Sequence, residues 1–84
     1  MTYAVAIHAP AKKSLLRLSE NIRTRVARSM LALAENPRPP GSVKLSGRDA
    51  WRIRVGDYRV IYTIDDSEKE VVIFAIGHRR EIYR

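Results

Sequence analysis

Arginine is the residue type on which chemistry in this chain is expected to depend, because three arginines fall close together around one predicted turn. They are Arg52, Arg54 and Arg59. A guanidinium stays charged at any relevant pH and binds phosphate through two parallel hydrogen bonds. Like charges directly opposite one another destabilise a sheet by about 0.2–1 kcal/mol per pair. This arginine triad is therefore either a fully solvated face or a site for an anion.

A predicted β-hairpin brings the arginine triad together. Apolar and polar residues alternate from Trp51 to Val55, which is the period of a half-buried strand. Gly56-Asp57 then stands where a two-residue loop belongs, with glycine at the position that a type II′ turn requires. The predicted register pairs Val55 with Tyr58, Arg54 with Arg59, Ile53 with Val60, and Arg52 with Ile61. The face opposite the triad is expected to hold Trp51, Ile53, Val55, Tyr58, Val60 and Tyr62.

The last residues of the chain form a second group with chemical potential. His78, Arg79, Arg80 and Tyr83 follow the run 71–76, which is apolar on both faces and typical of an interior strand. In a meander that strand can lie beside the Tyr58–Ile64 strand, so its exit would approach the arginine triad. A tyrosine ring there offers a platform for base stacking, worth about 1–3 kcal/mol per base. The alternative is a frayed basic terminus that only improves solubility.

The elements that must position these residues predict a single α+β domain over residues 1–84. Two N-terminal helices are expected to pack on one face of a small, mainly antiparallel β-sheet, because a strand and two helices precede a meander of strands. A strand is predicted over Tyr3–Ile7, followed by helices over Ala11–Leu18 and from Glu20 to about Asn36. Three further strands are predicted after the helices, over Ala50–Val55, Tyr58–Ile64 and Glu70–Ile76. Core packing is expected for the leucines and Met30 of the second helix, with Leu31 widening its apolar stripe, and for Tyr3 and Phe74.

Composition limits the kind of partner. Sixteen Lys and Arg against nine Asp and Glu give a net charge of +7, which predicts an anionic partner, nucleic acid first among them. An acidic protein or a membrane surface would also match that charge. There is no cysteine, and no run approaches the length of a membrane span. We therefore expect a soluble cytoplasmic protein that uses no cofactor and no metal.

Two motifs and one helix resemble the RelE toxins of the RelE/ParE superfamily of bacterial toxin–antitoxin modules. The motifs are Trp51-Arg-Ile-Arg-Val-Gly-Asp-Tyr-Arg-Val-Ile-Tyr62 and Ile76-Gly-His-Arg-Arg-Glu-Ile-Tyr83, and the helix contains Leu15-Leu-Arg-Leu18. The resemblance covers nearly the whole chain. It implies a compact toxin that enters the ribosomal A site and cuts mRNA, without metal, by attack of the RNA's own 2′-hydroxyl on the adjacent phosphate.

The resemblance also implies roles for individual residues. Arg52 and Arg54 match the two sheet lysines of RelE by position, and Arg59 matches its phosphate-contacting arginine. Arg79 matches the arginine of RelE that lies near the leaving group, and Tyr83 matches its base-stacking tyrosine. The arginines in place of lysines are a departure from the family pattern, because arginine is a poor proton shuttle.

This departure leaves two ways in which the protein could promote the reaction. Either catalysis is mainly electrostatic, or His78 supplies proton transfer near neutral pH, with His8 the less favoured source. Two other function classes stay open: a ParE-like toxin that binds and poisons DNA gyrase without chemistry of its own, and a small basic nucleic-acid-binding module.

The resemblance implies a cognate antitoxin, as well as the ribosome and mRNA, as partners, and no membrane. We expect a hetero-oligomer in which an acidic antitoxin tail wraps the toxin. Docking of that tail is expected to cover or displace the segment Glu81–Arg84.

Overall fold

The computed structural model describes residues 2–82, and within them the chain forms two helices and a five-stranded mixed sheet. The elements are β1 (Ala4–Ile7), α1 (Ala9–Leu16), α2 (Glu20–Ala32), β2 (Val43–Lys44), β3 (Trp51–Val55), β4 (Tyr58–Asp65) and β5 (Glu70–His78). The strand order is β1-β5-β4-β3-β2, with β1 parallel to β5 and the other neighbours antiparallel. The predicted α+β fold is confirmed.

The β3–β4 hairpin has the predicted register. Arg54 pairs with Arg59, and Val55 pairs with Tyr58 on either side of the turn. Gly56 has φ +59°, a left-handed conformation that glycine adopts without steric cost, as the first central position of a type II′ turn requires. Side chains therefore alternate between the two faces of the sheet as the pattern from Trp51 to Val55 predicts.

The helices cover one face of the sheet. Val26, Met30 and Leu33 of α2 and the segment after it are buried, because their spacing places them on one side of the helix. They pack with the inward side chains of the hairpin and β5 in one core: Ile53, Val55, Val60, Tyr62, Val71, Ile73 and Ile76. No helix in residues 2–82 is long and apolar enough to cross a membrane.

A β-bulge interrupts the pairing of β4 with β5. Ile61 pairs with Ala75 but Tyr62 pairs with Ile73, so β5 has one extra residue, Phe74, at this point. The extra residue resets the alternation along β5, and both Ile73 and Ile76 therefore lie in the core. The bulge also leaves Phe74 and Ala75 consecutively on the face away from the helices.

Two predictions of core packing are wrong. Phe74 is 50% exposed because the bulge directs it away from the core, and Leu31 is 68% exposed. Leu31 follows Met30 by one residue, so it points about 100° around the helix axis from the buried stripe. Tyr3 packs only partly against the core, because its hydroxyl reaches a polar group.

That polar group, Asp66 in the β4–β5 turn, ties three distant segments together. Its carboxylate accepts a hydrogen bond from the Tyr3 hydroxyl at 2.6 Å and forms a salt bridge with Arg38 at 2.9 Å. The Arg38 guanidinium also lies over the Trp51 ring, 5.3 Å from its centroid. The hydrogen bonds from Arg38 first, and from Tyr3, lower the pKa of Asp66 from 3.8 to about 2.

This lowered pKa predicts an acid-sensitive contribution to stability. A carboxylate with a depressed native-state pKa stabilises the fold above its unfolded value of 3.8, and that contribution disappears as the pH falls towards about 2. Asp66→Asn should therefore melt below the wild type at neutral pH, and the two melting temperatures should converge near pH 2. Glu68→Gln removes an acid from the same turn and serves as the control. A gap in melting temperature that does not change with pH would contradict this account.

Candidate nucleic-acid interface

The arginine triad lies on the outer face, which is the face of the sheet opposite α1 and α2. Arg54 is directly opposite Arg59, and Arg52 is directly opposite Ile61, so all three arginines share this face. Arg54 is exposed and Arg52 is half-buried. The hairpin therefore collects positive charge on the surface that the helices leave uncovered.

Arg59 differs from the other two arginines because it is buried. Only 8% of it is exposed, and it is the one buried charged residue of the described chain, residues 2–82. Its Nη1 donates hydrogen bonds to the carbonyl oxygens of Gly56 at 3.4 Å and Tyr58 at 3.2 Å. A buried charge is costly unless it is hydrogen-bonded, and these two acceptors offset part of that cost. They also hold the guanidinium at the turn end of the hairpin.

The end of β5 approaches the same place. Gly77 pairs with Arg59, and the Arg79 N–H donates a hydrogen bond to the Asp57 carbonyl at 2.9 Å. The chain then turns back, because the N–H groups of Glu81 and Ile82 both donate to the His78 carbonyl. Ile82 lies against Gly77, where an added Cβ would be 3.6 Å from the Ile82 Cβ. The predicted approach of the chain end to the triad is confirmed for this segment, the C-terminal turn (residues 79–82).

The sheet register does not bring His78 together with the arginine triad. His78 pairs with Tyr58, and their rings meet edge to face with centroids 5.5 Å apart, on the side of the sheet that carries the helices. Its Nδ1 accepts a hydrogen bond from the Arg80 N–H at 3.2 Å, so that nitrogen already has a partner. This hydrogen bond connects His78 to the C-terminal turn. The other predicted site residue of this segment, Tyr83, lies outside the described residues.

One cation near the site escapes prediction from the sequence. Arg25 of α2 lies against the hairpin turn, where an added Cβ on Gly56 would be 3.7 Å from its Nη1. Nothing local indicates this contact, because it depends on how α2 packs on β3. The only signal is its place beside Val26, at the border of the buried stripe.

These groups are suited to binding a phosphate and stabilising negative charge. Arg52, Arg54 and Arg79 supply exposed or half-exposed guanidiniums near a turn that also holds Arg59 and Arg25. Fixed cations stabilise charge that develops in a transition state without reorganising at the moment of reaction. None of the arginines is suited to take up a proton at neutral pH.

Comparisons with known proteins agree on one group of toxins. A family described as "ParE toxin of type II toxin-antitoxin system, parDE" matches residues 5–83. Toxin RelE of Mycobacterium tuberculosis is 37% identical over 84 residues, which cover 98% of this chain and 87% of that protein. Toxin RelG of the same organism is 33% identical over 90 residues, covering 100% of this chain and 99% of that protein.

Solved structures have the same fold. A chain in the crystal structure of the archaeal RelE–RelB complex from Pyrococcus horikoshii superposes with a TM-score of 0.85 and 33% identity, covering 96% of this chain and 99% of that one. A chain in the RelBE2 toxin–antitoxin complex of Mycobacterium tuberculosis superposes with a TM-score of 0.83 and 28% identity. The match covers 94% of this chain and 100% of that one.

Burial predicts different stability effects for two arginines of the site. Arg59→Ala should lower the free energy of unfolding by about 1–3 kcal/mol, because it removes a buried, hydrogen-bonded charge. Arg79→Ala should change it by less than about 0.5 kcal/mol, because the exposed side chain is lost while the backbone bond to Asp57 remains. Urea denaturation of both purified variants measures the difference. Equal losses of stability in the two variants would contradict the prediction that burial makes Arg59 the more important of the two for the fold.

Proposed function

The chain belongs to the RelE-type toxins of the RelE/ParE superfamily of type II toxin–antitoxin systems, and on this premise we propose that it is a ribosome-dependent mRNA endoribonuclease. Cleavage of mRNA during translation would inhibit protein synthesis, and the protein would act in the cytoplasm. The observation that carries the proposal is the shared outer face of Arg52, Arg54 and Arg59, with Arg79 joined to the adjacent turn through its backbone.

The proposed reaction is a transesterification within the RNA. The 2′-oxygen attacks the neighbouring phosphorus, the bond to the 5′-oxygen of the next nucleotide breaks, and a 2′,3′-cyclic phosphate and a 5′-hydroxyl result. The 2′-proton must leave and the 5′-oxygen must gain one. Because the nucleophile is the RNA's own hydroxyl, the protein has to stabilise the charged phosphorane and the leaving oxygen.

The family resemblance implies which arginine serves each part of this reaction, and we propose the same roles here. Arg59, held by the Gly56 and Tyr58 carbonyls, presents its remaining N–H donors to the phosphate. Exposed Arg54 and half-buried Arg52 add positive charge that favours the 2′-oxyanion, and Arg79 stabilises the leaving oxygen. Proton transfer then proceeds through solvent or RNA groups, so catalysis by the protein is mainly electrostatic. The role of Tyr83 as a base-stacking platform stays a prediction from the family resemblance.

The partner that restrains the toxin is proposed to be a cognate antitoxin. Solved structures that share this fold include complexes named RelE–RelB and RelBE2. The net charge of +7 favours an acidic antitoxin segment, and the outer face concentrates that charge. Antitoxin covering this face would block RNA binding, and the complex would be a hetero-oligomer whose affinity falls as salt rises.

Cleavage of translated mRNA by purified components tests the proposed function. Arg54→Ala and Arg79→Ala should each reduce cleavage by about 100-fold or more, because each removes a cation that stabilises the transition state. The control is Arg28→Ala, which removes the same charge from an exposed position of α2 on the other side of the sheet. Sequencing of the 5′ ends measures cut positions and rates, and circular dichroism checks the fold of each variant.

Two results would overturn the proposal. Equal cleavage by the two site variants and the wild type would remove those arginines from the reaction. Intact mRNA together with gyrase-linked breaks in plasmid DNA would indicate the alternative activity, a toxin that poisons gyrase without catalysis. The RelE names of the relatives described above favour RelE-type activity over that alternative.

The position of His78 predicts a minor effect on chemistry. His78→Gln should keep most of the cleavage activity, and its rate should follow the wild-type pH dependence between about pH 5 and 8, where a histidine base would titrate. Single-turnover rates on ribosome-bound mRNA across this range are the measurement. A loss of about 100-fold or more, with a flattened pH profile, would instead identify His78 as a general base.

A further inference from the structure

An exposed aromatic side chain lies on the outer face beyond the arginine triad. Phe74 is 50% exposed, and the bulge in β5 fixes its direction. Its ring meets the ring of His8, with centroids 5.1 Å apart and planes inclined by 34°. The His8 N–H donates to the Ile73 carbonyl at 2.8 Å, so the backbone of this pair is fixed as well. Bulges of this kind often redirect a side chain next to a functional site.

Phe74 also lines a cavity of about 310 Å³ on this face. The apolar wall includes Ile61, Ala75 and Ile82, and the rim includes Arg48 and Asp49. The volume is at the lower end of the range for ligand pockets, about 300–1,000 Å³. The cavity therefore offers an apolar wall beside a charged rim.

The wall of the cavity is next to the arginine triad in the sheet register. Ile61 in its wall pairs directly with Arg52, and cross-strand neighbours have Cβ atoms about 4.5–5.5 Å apart. Ile82 in the same wall covers Gly77, which pairs with Arg59. An RNA strand whose phosphate lies on the arginines would therefore extend towards the wall that Phe74 shares with Ile61 and Ala75.

We propose that Phe74 and the cavity beside it form a base-stacking subsite for a nucleotide next to the cleaved bond. This inference rests on the proposed function. Charge favours RNA as the occupant, because Arg48 and Arg52 border the apolar surface and attract a polyanion. The aromatic ring favours a base, since every base has a π-face that stacks on it.

Substitution of Phe74 tests the subsite in ribosome-bound mRNA. Loss of one stacked base is worth about 1–3 kcal/mol, so Phe74→Ala should reduce cleavage about 5- to 150-fold. Phe74→Trp, which restores a stacking ring, should recover most of the rate. Leu31→Ala is the control, because it removes an exposed apolar side chain from the opposite side of the molecule. Thermal melts check that all three variants are folded.

An mRNA with a single abasic position identifies the interaction itself. Scanning that position through the codon should reveal one site at which the wild type loses as much activity as Phe74→Ala does. At this site the Phe74→Ala variant should lose nothing further. Additive losses at every position, or wild-type cleavage by Phe74→Ala, would overturn the subsite.

Two further measurements separate this inference from the proposed function and from protein binding. If the wild type cleaves no mRNA, fluorescence anisotropy with a labelled single-stranded RNA still tests the subsite, because it measures RNA binding without cleavage. Weaker binding by Phe74→Ala than by the wild type supports the subsite, and equal binding refutes it. If Phe74→Ala cleaves normally but loses affinity for the antitoxin, the surface belongs to the protein partner and the inference is wrong.

Discussion

The two-residue turn between β3 and β4 determines which side of the sheet each side chain of the hairpin occupies. Because side chains alternate with a period of two, a slip of one residue would move the arginine triad into the core and Ile53 and Val60 into solvent. Gly56 resists such a slip, since its φ of +59° is a conformation that other residues rarely adopt. The register of one short turn thus determines both the core and the charged face, and the rest of the site is built around it.

The site also depends on a contact between two turns. The C-terminal turn is joined to the hairpin by the Arg79 N–H at the Asp57 carbonyl, while Arg59 is held by carbonyls of the same hairpin. Backbone bonds hold the position of both segments, so the exposed arginines can interact with a ligand without having to maintain the fold. This division explains why a small domain can concentrate like charges on one face. The one charge that is buried in residues 2–82 has its own hydrogen-bond acceptors.

Local sequence rules predicted the parts of the fold that short-range pattern controls. The hairpin register follows from the alternation at Trp51–Val55 and the glycine turn, and the interior position of β5 follows from its apolar run. The same rules wrongly predicted that Phe74 lies in the core. The bulge that exposes Phe74 arises from pairing with a strand about a dozen residues away, which a local pattern does not show. Arg25 and the facing of His78 likewise depend on tertiary packing, which no local pattern encodes.

Arginine at positions 52 and 54, where the family resemblance implies lysine, is consistent with how the outer face is built. A lysine can give up its proton when desolvated, whereas an arginine stays charged and offers a rigid fork to phosphate. Arg54 stands directly opposite Arg59, so two permanent charges repel one another across the hairpin. A bound phosphate relieves that repulsion, and the relief is greatest when negative charge on the phosphate is greatest. For the proposed endoribonuclease, such a face would bind the phosphorane more strongly than the ground-state diester, which is the condition for electrostatic catalysis.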